Sequence, residues 1–197
     1  LSALARILEE TAGLDLLLLP GLPFSFGSKL YNCAAVCHKG KLLGLVPKTH
    51  IPNYGEFYER RHFASGAGLC ETAAPFGYAV PLSANQLFAC RALPAFTFGV
   101  EICEDLWVPD APSSLLCREG AAVIANLSAS DEVIGKAEYR RLLVCPQSGR
   151  LVCGYLYADA GEGESTTDMV FSGHSLIAQS GALLAEHAPF AQGLCIA

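Results

Sequence analysis

Of the nine cysteines in the sequence, Cys103 has the surroundings of a nucleophile. It follows the apolar run Phe96 to Ile102 and is followed at once by Glu104 and Asp105. A strand that gives way to acidic residues is leaving the core for a cleft, where a thiol can meet substrate. The attacking species is the thiolate, and a nearby ammonium favours it. Lys48 holds the corresponding place after Leu42 to Pro47, where another apolar run turns polar. A lysine there could hold a thiolate, a carboxylate or an oxyanion. Glu59, further along the same polar loop, could orient that lysine or relay protons, and Glu56 competes for the role. Taken singly, each is more often an edge-of-core thiol or a solvated charge. Ser128 and Ser130 follow the apolar run Ala121 to Leu127. In parallel-strand architectures the carboxyl ends of strands gather at the ligand site. Three strand ends with the same apolar-to-polar transition point to one shared cleft.

Other chemistries lack their residues. Gly161 to Gly163 has neither the lysine nor the spacing of a phosphate-cradling loop. No serine lies in a G-x-S-x-G elbow. His38, His50, His62, His174 and His187 show no metal-ligand spacing, so no metal is expected. A cysteine–histidine dyad using His50 or His62 stays open. Cys33 and Cys37 are close, but no second pair completes a zinc site. An odd cysteine count without C-x-x-C spacing suits a reducing, intracellular, cytoplasmic setting. Most of these thiols lie in apolar runs and read as buried structural residues.

The elements that must position these groups are mostly strands. Leu1 to Thr11 has a helical apolar rhythm that ends at Ala12-Gly13. Leu14 to Leu19 reads as a strand buried on both faces. Leu30 to Cys37 and Leu42 to Pro47 form a hairpin through His38 to Lys41. Ile51 to Gly68 is a long polar, aromatic loop with a helical turn. Tyr78 to Val80, Leu87 to Cys90 and Phe96 to Ile102 continue the strand pattern. Pro112 to Glu119 and Gly135 to Cys145 read as helices, and Ala121 to Leu127 and Leu151 to Ala158 as buried strands. Gly161 to Thr167 is a glycine-rich loop. His174 to Ala178 and Ala182 to Glu186 make a last hairpin. The predicted class is α/β, with stacked sheets covered by helices.

The length suits one domain. A formal charge of −6 without a basic patch argues against nucleic acid and anionic membranes as partners. The apolar run near Leu14 to Leu22 is too short to span a bilayer.

Four segments in order resemble the nitrilase superfamily of carbon-nitrogen hydrolases. Val46-Pro47-Lys48-Thr49-His50-Ile51-Pro52-Asn53-Tyr54-Gly55-Glu56-Phe57-Tyr58-Glu59-Arg60-Arg61 resembles its lysine segment, and Val100-Glu101-Ile102-Cys103-Glu104-Asp105 its nucleophile segment. Ala125 to Ser130 with Gly135 to Arg141, and Ala160 to Asp168, resemble the amidase domains of the glutamine-dependent NAD synthetase family. The resemblance implies an α-β-β-α sandwich of two stacked sheets flanked by helices. It implies that Cys103 attacks the glutamine amide and forms a thioester. Lys48, with the backbone N–H after Cys103, would stabilise the oxyanion. Glu59, in the pattern Glu59-x-x-x-Phe63-x-x-Gly66, would be the supporting carboxylate. Tyr54, Glu104 and Ser130 would bind glutamine. Ammonia would pass to a synthetase domain of the same polypeptide, which uses ATP and magnesium to amidate deamido-NAD. The amidase domain itself would need no cofactor, and the full-length form would be a homo-oligomer.

The family's general base is a glutamate at the end of an earlier strand. Gly21-Leu22-Pro23 follows Leu14 to Pro20 and supplies none. The expectation is therefore a partial amidase domain over 1–197, with the base glutamate upstream of Leu1 and the synthetase domain after Ala197. Residues 1–197 alone are expected to aggregate and to hydrolyse glutamine poorly. A stand-alone amidase acting on another small amide, and a non-catalytic interaction module, are the competing readings.

Overall fold

The computed structural model describes residues 1–164 and 169–197. The chain divides into two compact units, Leu1–Gln86 and Leu87–Ala197. Each contains one six-stranded sheet, and three α-helices complete the mixed α/β pattern among the described residues.

In the first unit, α1 (Ser2–Glu10) buries Leu4 and Leu8, one turn apart on one face. The strands are β1 (Leu17–Leu18), β2 (Gly21–Phe26), β3 (Lys29–His38), β4 (Lys41–Pro47), β5 (Cys70–Ala73) and β6 (Val80–Ser83). Their order is β1-β3-β4-β6-β5, with β2 also on β3. Only β4 and β6 run parallel, through Leu45 and Leu82. Both leucines are fully buried among Cys33, Ala35 and Cys37. Each such leucine contributes roughly 2 kcal/mol relative to exposure. The β3–β4 hairpin turns through Lys39 (φ 46°) and Gly40 (φ 74°), the left-handed pair of a two-residue loop. Gly40 also lies against the end of α1, where a Cβ would meet the Leu8 carbonyl at 3.0 Å and, just beyond the helix, Ala12 Cβ at 2.8 Å.

In the second unit, β7 (Phe88–Cys90), β8 (Leu93–Ile102), β9 (Val123–Ser128), β10 (Gly154–Asp159), β11 (Ser175–Gln179) and β12 (Ala182–His187) form a sheet of order β12-β11-β10-β9-β8-β7. β8, β9 and β10 are parallel and the rest antiparallel. Parallel neighbours require crossovers. α2 (Pro112–Arg118) connects β8 to β9, and α3 (Lys136–Leu151) connects β9 to β10. Val144 of α3 packs with Tyr155, Tyr157 and Leu176 in the buried cluster. The parallel register pairs Ile102 with Leu127 and Ser128 with Asp159, so three strands end side by side.

Some sequence expectations need correction. Leu14 to Leu19 is not a strand buried on both faces. Only Leu17 and Leu18 pair, with Cys37 and His38 for partners, while Leu14 is 51% and Leu16 46% exposed. β2 was hidden by Pro23, which an outer strand tolerates. β5 was missed, and the strand expected at Tyr78 to Val80 starts at Val80. α3 continues past Pro146, carried by the buried Gln147 and Ser148. Among the cysteines only Cys33, Cys37 and Cys153 are buried, and Cys70 is exposed. Burial pushes the Cys33 thiol up to about 12 and Cys37 to about 11, so both are inert near neutrality. The glycine-rich loop is described as far as Glu164, and residues 165–168 of the quoted motif lie outside the described residues.

Candidate active site

Lys48 is the first residue beyond β4. Its N–H donates to the Asn32 carbonyl at 2.8 Å and its carbonyl accepts the Gly66 N–H at 2.8 Å. The backbone is thus clamped on both sides. The side chain is 1% exposed, and its Nζ donates to both carboxylate oxygens of Glu59 at 3.0 Å. An ammonium this desolvated needs such a partner. Glu59 opens a short helical turn, Glu59–Arg61, whose first N–H donates to the Pro52 carbonyl. The Arg60 guanidinium donates to the Ile51 carbonyl and the Ser65 hydroxyl to the Thr49 carbonyl. These bonds tie the loop to its own start. Between the two candidate carboxylates, Glu59 faces Lys48 and Glu56 is exposed. Tyr54, on the same loop, is exposed and sets its ring edge-on to Phe57. His62 is exposed and His50 half-buried.

Cys103 is half-buried and begins the short turn Cys103–Leu106 at the end of β8. Its φ is 47°, a left-handed conformation that costs a side-chain-bearing residue about 1–2 kcal/mol. Two hydrogen bonds hold it there. The Cys103 N–H donates to Asn126 Oδ1 at 3.2 Å, and the Ile102 N–H donates to the buried Asp105 carboxylate at 3.0 Å. Glu104, half-buried, follows in the same turn.

Ser128 ends β9 and donates its hydroxyl to Asn126 Oδ1 at 2.7 Å. Ser130 is buried instead of lining an open surface. Its N–H donates to Asp159 Oδ1 at 2.8 Å, and its hydroxyl accepts Arg140 Nε at 3.3 Å. Arg140 is fully buried and also donates to Glu132 and to the carbonyls of Ser130 and Asp131. Burial pushes the Asp159 carboxyl up to about 6, against the pull of the Ser130 N–H and of Arg140.

The sequence reading missed Asn126, Tyr155, Glu101, Arg140 and Asp159. Glu101 alone left a signal, as the one charge inside an otherwise apolar strand. It is buried, and burial raises its pKa while hydrogen bonds from Tyr155 and Ser113 oppose the rise. No cluster of three or more His, Cys, Asp and Glu among the described residues is placed to hold a metal. No helix of the described residues is long and apolar enough to cross a membrane.

The family model for carbon-nitrogen hydrolases matches residues 4–197. This chain belongs to the carbon-nitrogen hydrolase family. It is 46% identical over 192 residues to the glutamine-dependent NAD(+) synthetase of Mycobacterium bovis, covering 98% of this chain and 28% of that protein. To the synthetase of Thermotoga maritima it is 32% identical, covering 88% of this chain and 27% of that one. The chain therefore spans under a third of the length of these curated relatives. A solved glutamine-dependent NAD(+) synthetase from Cytophaga hutchinsonii superposes with a TM-score of 0.81 at 28% identity, covering 94% of this chain and 30% of that one. Saccharomyces cerevisiae Nit3, of the nitrilase superfamily, shares the fold with a TM-score of 0.71 at 19% identity, covering 97% of this chain and 62% of that one. The carbon-nitrogen hydrolase match takes in every candidate residue from Lys48 to Ser130.

Proposed function

We propose that this carbon-nitrogen hydrolase domain releases ammonia from the side-chain amide of glutamine through a thioester on Cys103. The observation that carries the reading is the Cys103 turn: a half-buried thiol at φ 47°, held at the carboxyl end of a parallel strand. The likeness to glutamine-dependent NAD(+) synthetases supplies the substrate class. Cys103 Sγ attacks the amide carbon and its proton passes to a carboxylate base. That base is the family's glutamate. Lys48, held by Glu59, and the backbone N–H after Cys103 stabilise the oxyanion. Collapse of the tetrahedral species breaks the C–N bond, and the departing nitrogen takes the proton. Water then cleaves the thioester to glutamate. Tyr54, Glu104 and Ser130 are assigned to glutamine. Ser130 acts through its buried bonds to Asp159 and Arg140, which set the backbone where the substrate docks.

The ammonia serves an ATP- and magnesium-dependent amidation of deamido-NAD by a linked synthetase domain, within a homo-oligomer in the cytoplasm. The amidase domain itself uses no cofactor. In the protein expressed from its full gene, Cys103→Ala should abolish glutamine-supported NAD formation and leave ammonia-supported NAD formation intact. Loss of both, or of neither, would contradict the proposal.

A further inference from the structure

Glu101, Tyr155 and Asn126 are buried on one face of three adjacent parallel strands, and the chemistry above uses none of them directly. Their hydrogen bonds form one chain that ends at the nucleophile. The Cys103 N–H donates to Asn126 Oδ1 at 3.2 Å. Asn126 Nδ2 donates to the Tyr155 hydroxyl oxygen at 3.2 Å. The Tyr155 hydroxyl donates to Glu101 Oε1. The other carboxylate oxygen, Oε2, accepts the Ser113 N–H at the start of α2 at 2.8 Å.

With Glu101 ionised, donors and acceptors fit in one direction. The Glu101 carboxylate accepts on both oxygens, so the Tyr155 hydroxyl must donate to it. The Tyr155 oxygen is then free to accept, which calls for an N–H and so turns Asn126 Nδ2 towards it. The amide oxygen is left facing the Cys103 N–H and the Ser128 hydroxyl, which also donates to it at 2.7 Å. Were the amide reversed, an NH2 would meet the Cys103 N–H and one of the two bonds holding the left-handed turn would become a repulsion. A carboxylate remote from the thiol therefore favours one of the two hydrogen bonds that hold the strained turn, the other being that of the Ile102 N–H to Asp105.

Resting on the reading of Cys103 as nucleophile, we propose that Glu101 and Tyr155 are positioning residues for it, fixing the amide orientation of Asn126 and through it the Cys103 backbone. Neither touches the reacting atoms. The effect belongs to geometry of attack, where small misplacements cost rate more than binding.

The test uses the protein expressed from its full gene, with Tyr155→Phe, Glu101→Gln and Cys103→Ala. Tyr155→Phe removes one hydroxyl and cuts the chain. Glu101→Gln keeps the shape but offers an NH2 as readily as an oxygen, so the direction is lost. Three quantities are read: kcat and KM for glutamine hydrolysis, the alkylation rate of Cys103 by iodoacetamide without substrate, and the thermal midpoint. The inference expects kcat to fall about tenfold or more in folded Tyr155→Phe and Glu101→Gln while KM moves less than about twofold. Cys103 alkylation should slow by a comparable factor at temperatures well below the midpoint.

Wild-type kcat and alkylation in either folded variant would overturn it. So would losses that merely track the unfolded fraction, or failure of both variants to fold, because the chain would then be a structural brace. Cys103→Ala separates the two ideas. Full glutamine hydrolysis in Cys103→Ala would sink the nucleophile reading itself. An inactive Cys103→Ala beside undisturbed Tyr155→Phe and Glu101→Gln would sink only the relay.

Discussion

Lys48 Nζ lies 3.0 Å from each carboxylate oxygen of Glu59, and the lysine is 1% exposed. Glu59 is thus the partner that makes a desolvated ammonium tolerable. The Glu59 side chain keeps 26% of its surface, so only one end of the pair is fully removed from water. Removing one partner of such a pair costs far more than removing both charges. Glu59→Gln should lower stability by about 3 kcal/mol. Lys48→Met, which removes the charge and keeps the stem, should cost clearly less. Urea unfolding of the two variants checks the order, and Lys48→Met as the less stable of the two would contradict it. Both should lose glutamine hydrolysis.

Gly66 stands behind the Lys48 clamp. A Cβ there would come within 2.6 Å of Pro47 Cβ and Cγ and 3.0 Å of the Pro47 carbonyl. A proline ring has little room to move, so the Gly66–Lys48 backbone bond must lengthen or β4 must shift. Gly66→Ala should destabilise by about 1–3 kcal/mol and reduce activity beyond what unfolding explains. Thermal midpoint and kcat measured together decide, and an unchanged midpoint would show that the strand end yields freely.

Cys103 sits at φ 47°, where glycine pays no steric penalty. Cys103→Gly and Cys103→Ala should be equally inactive, but their stabilities should differ. Relief of left-handed strain favours glycine by about 1–2 kcal/mol. Its greater freedom in the unfolded chain offsets about 0.4–1 kcal/mol of that. Cys103→Gly should therefore be as stable as Cys103→Ala or more so. A distinctly less stable Cys103→Gly, by calorimetry, would mean that the turn is not strained.

The parts of the site that were legible in the sequence are those announced locally. Lys48 and Cys103 mark places where an apolar run turns polar, and Lys39-Gly40 marks a hairpin. Asn126 and Tyr155 gave no such notice, because their meaning comes from neighbours on other strands. Arg140 gave no notice either, and it is fully buried and bonded to Glu132, His174, Ser130 and Asp131 of its own unit. The leucine run from Leu14 misled for the opposite reason. Its composition suits a strand with both faces covered, whereas β3 gives it only two pairing positions. Composition reports what a segment could bury and says nothing of which partner arrives to cover it.

Asp159 gives a pH dependence with a definite sign. Its carboxyl is pushed from an ordinary 3.8 up to about 6, chiefly by burial. The folded state therefore prefers the protonated form. That contribution is fully present below pH 3.8 and is lost as pH rises through about 6. Asp159→Asn has no such titration. Relative to it, the wild type should lose about 2 kcal/mol of stability between roughly pH 4 and pH 7. Urea midpoints of both proteins at the two pH values measure this difference. A gap that is constant with pH, or that moves in favour of the wild type, would contradict it.

The central claim is that Cys103 is the nucleophile that meets glutamine. Its most direct test is peptide mass spectrometry after treating the protein expressed from its full gene with a glutamine-like chloroketone, with and without excess glutamine. The account predicts one adduct, on the peptide bearing Cys103, protected by glutamine and formed in step with loss of glutamine-supported activity. Loss of that activity with Cys103 unmodified, or labelling of Cys103 that glutamine does not slow, would contradict it.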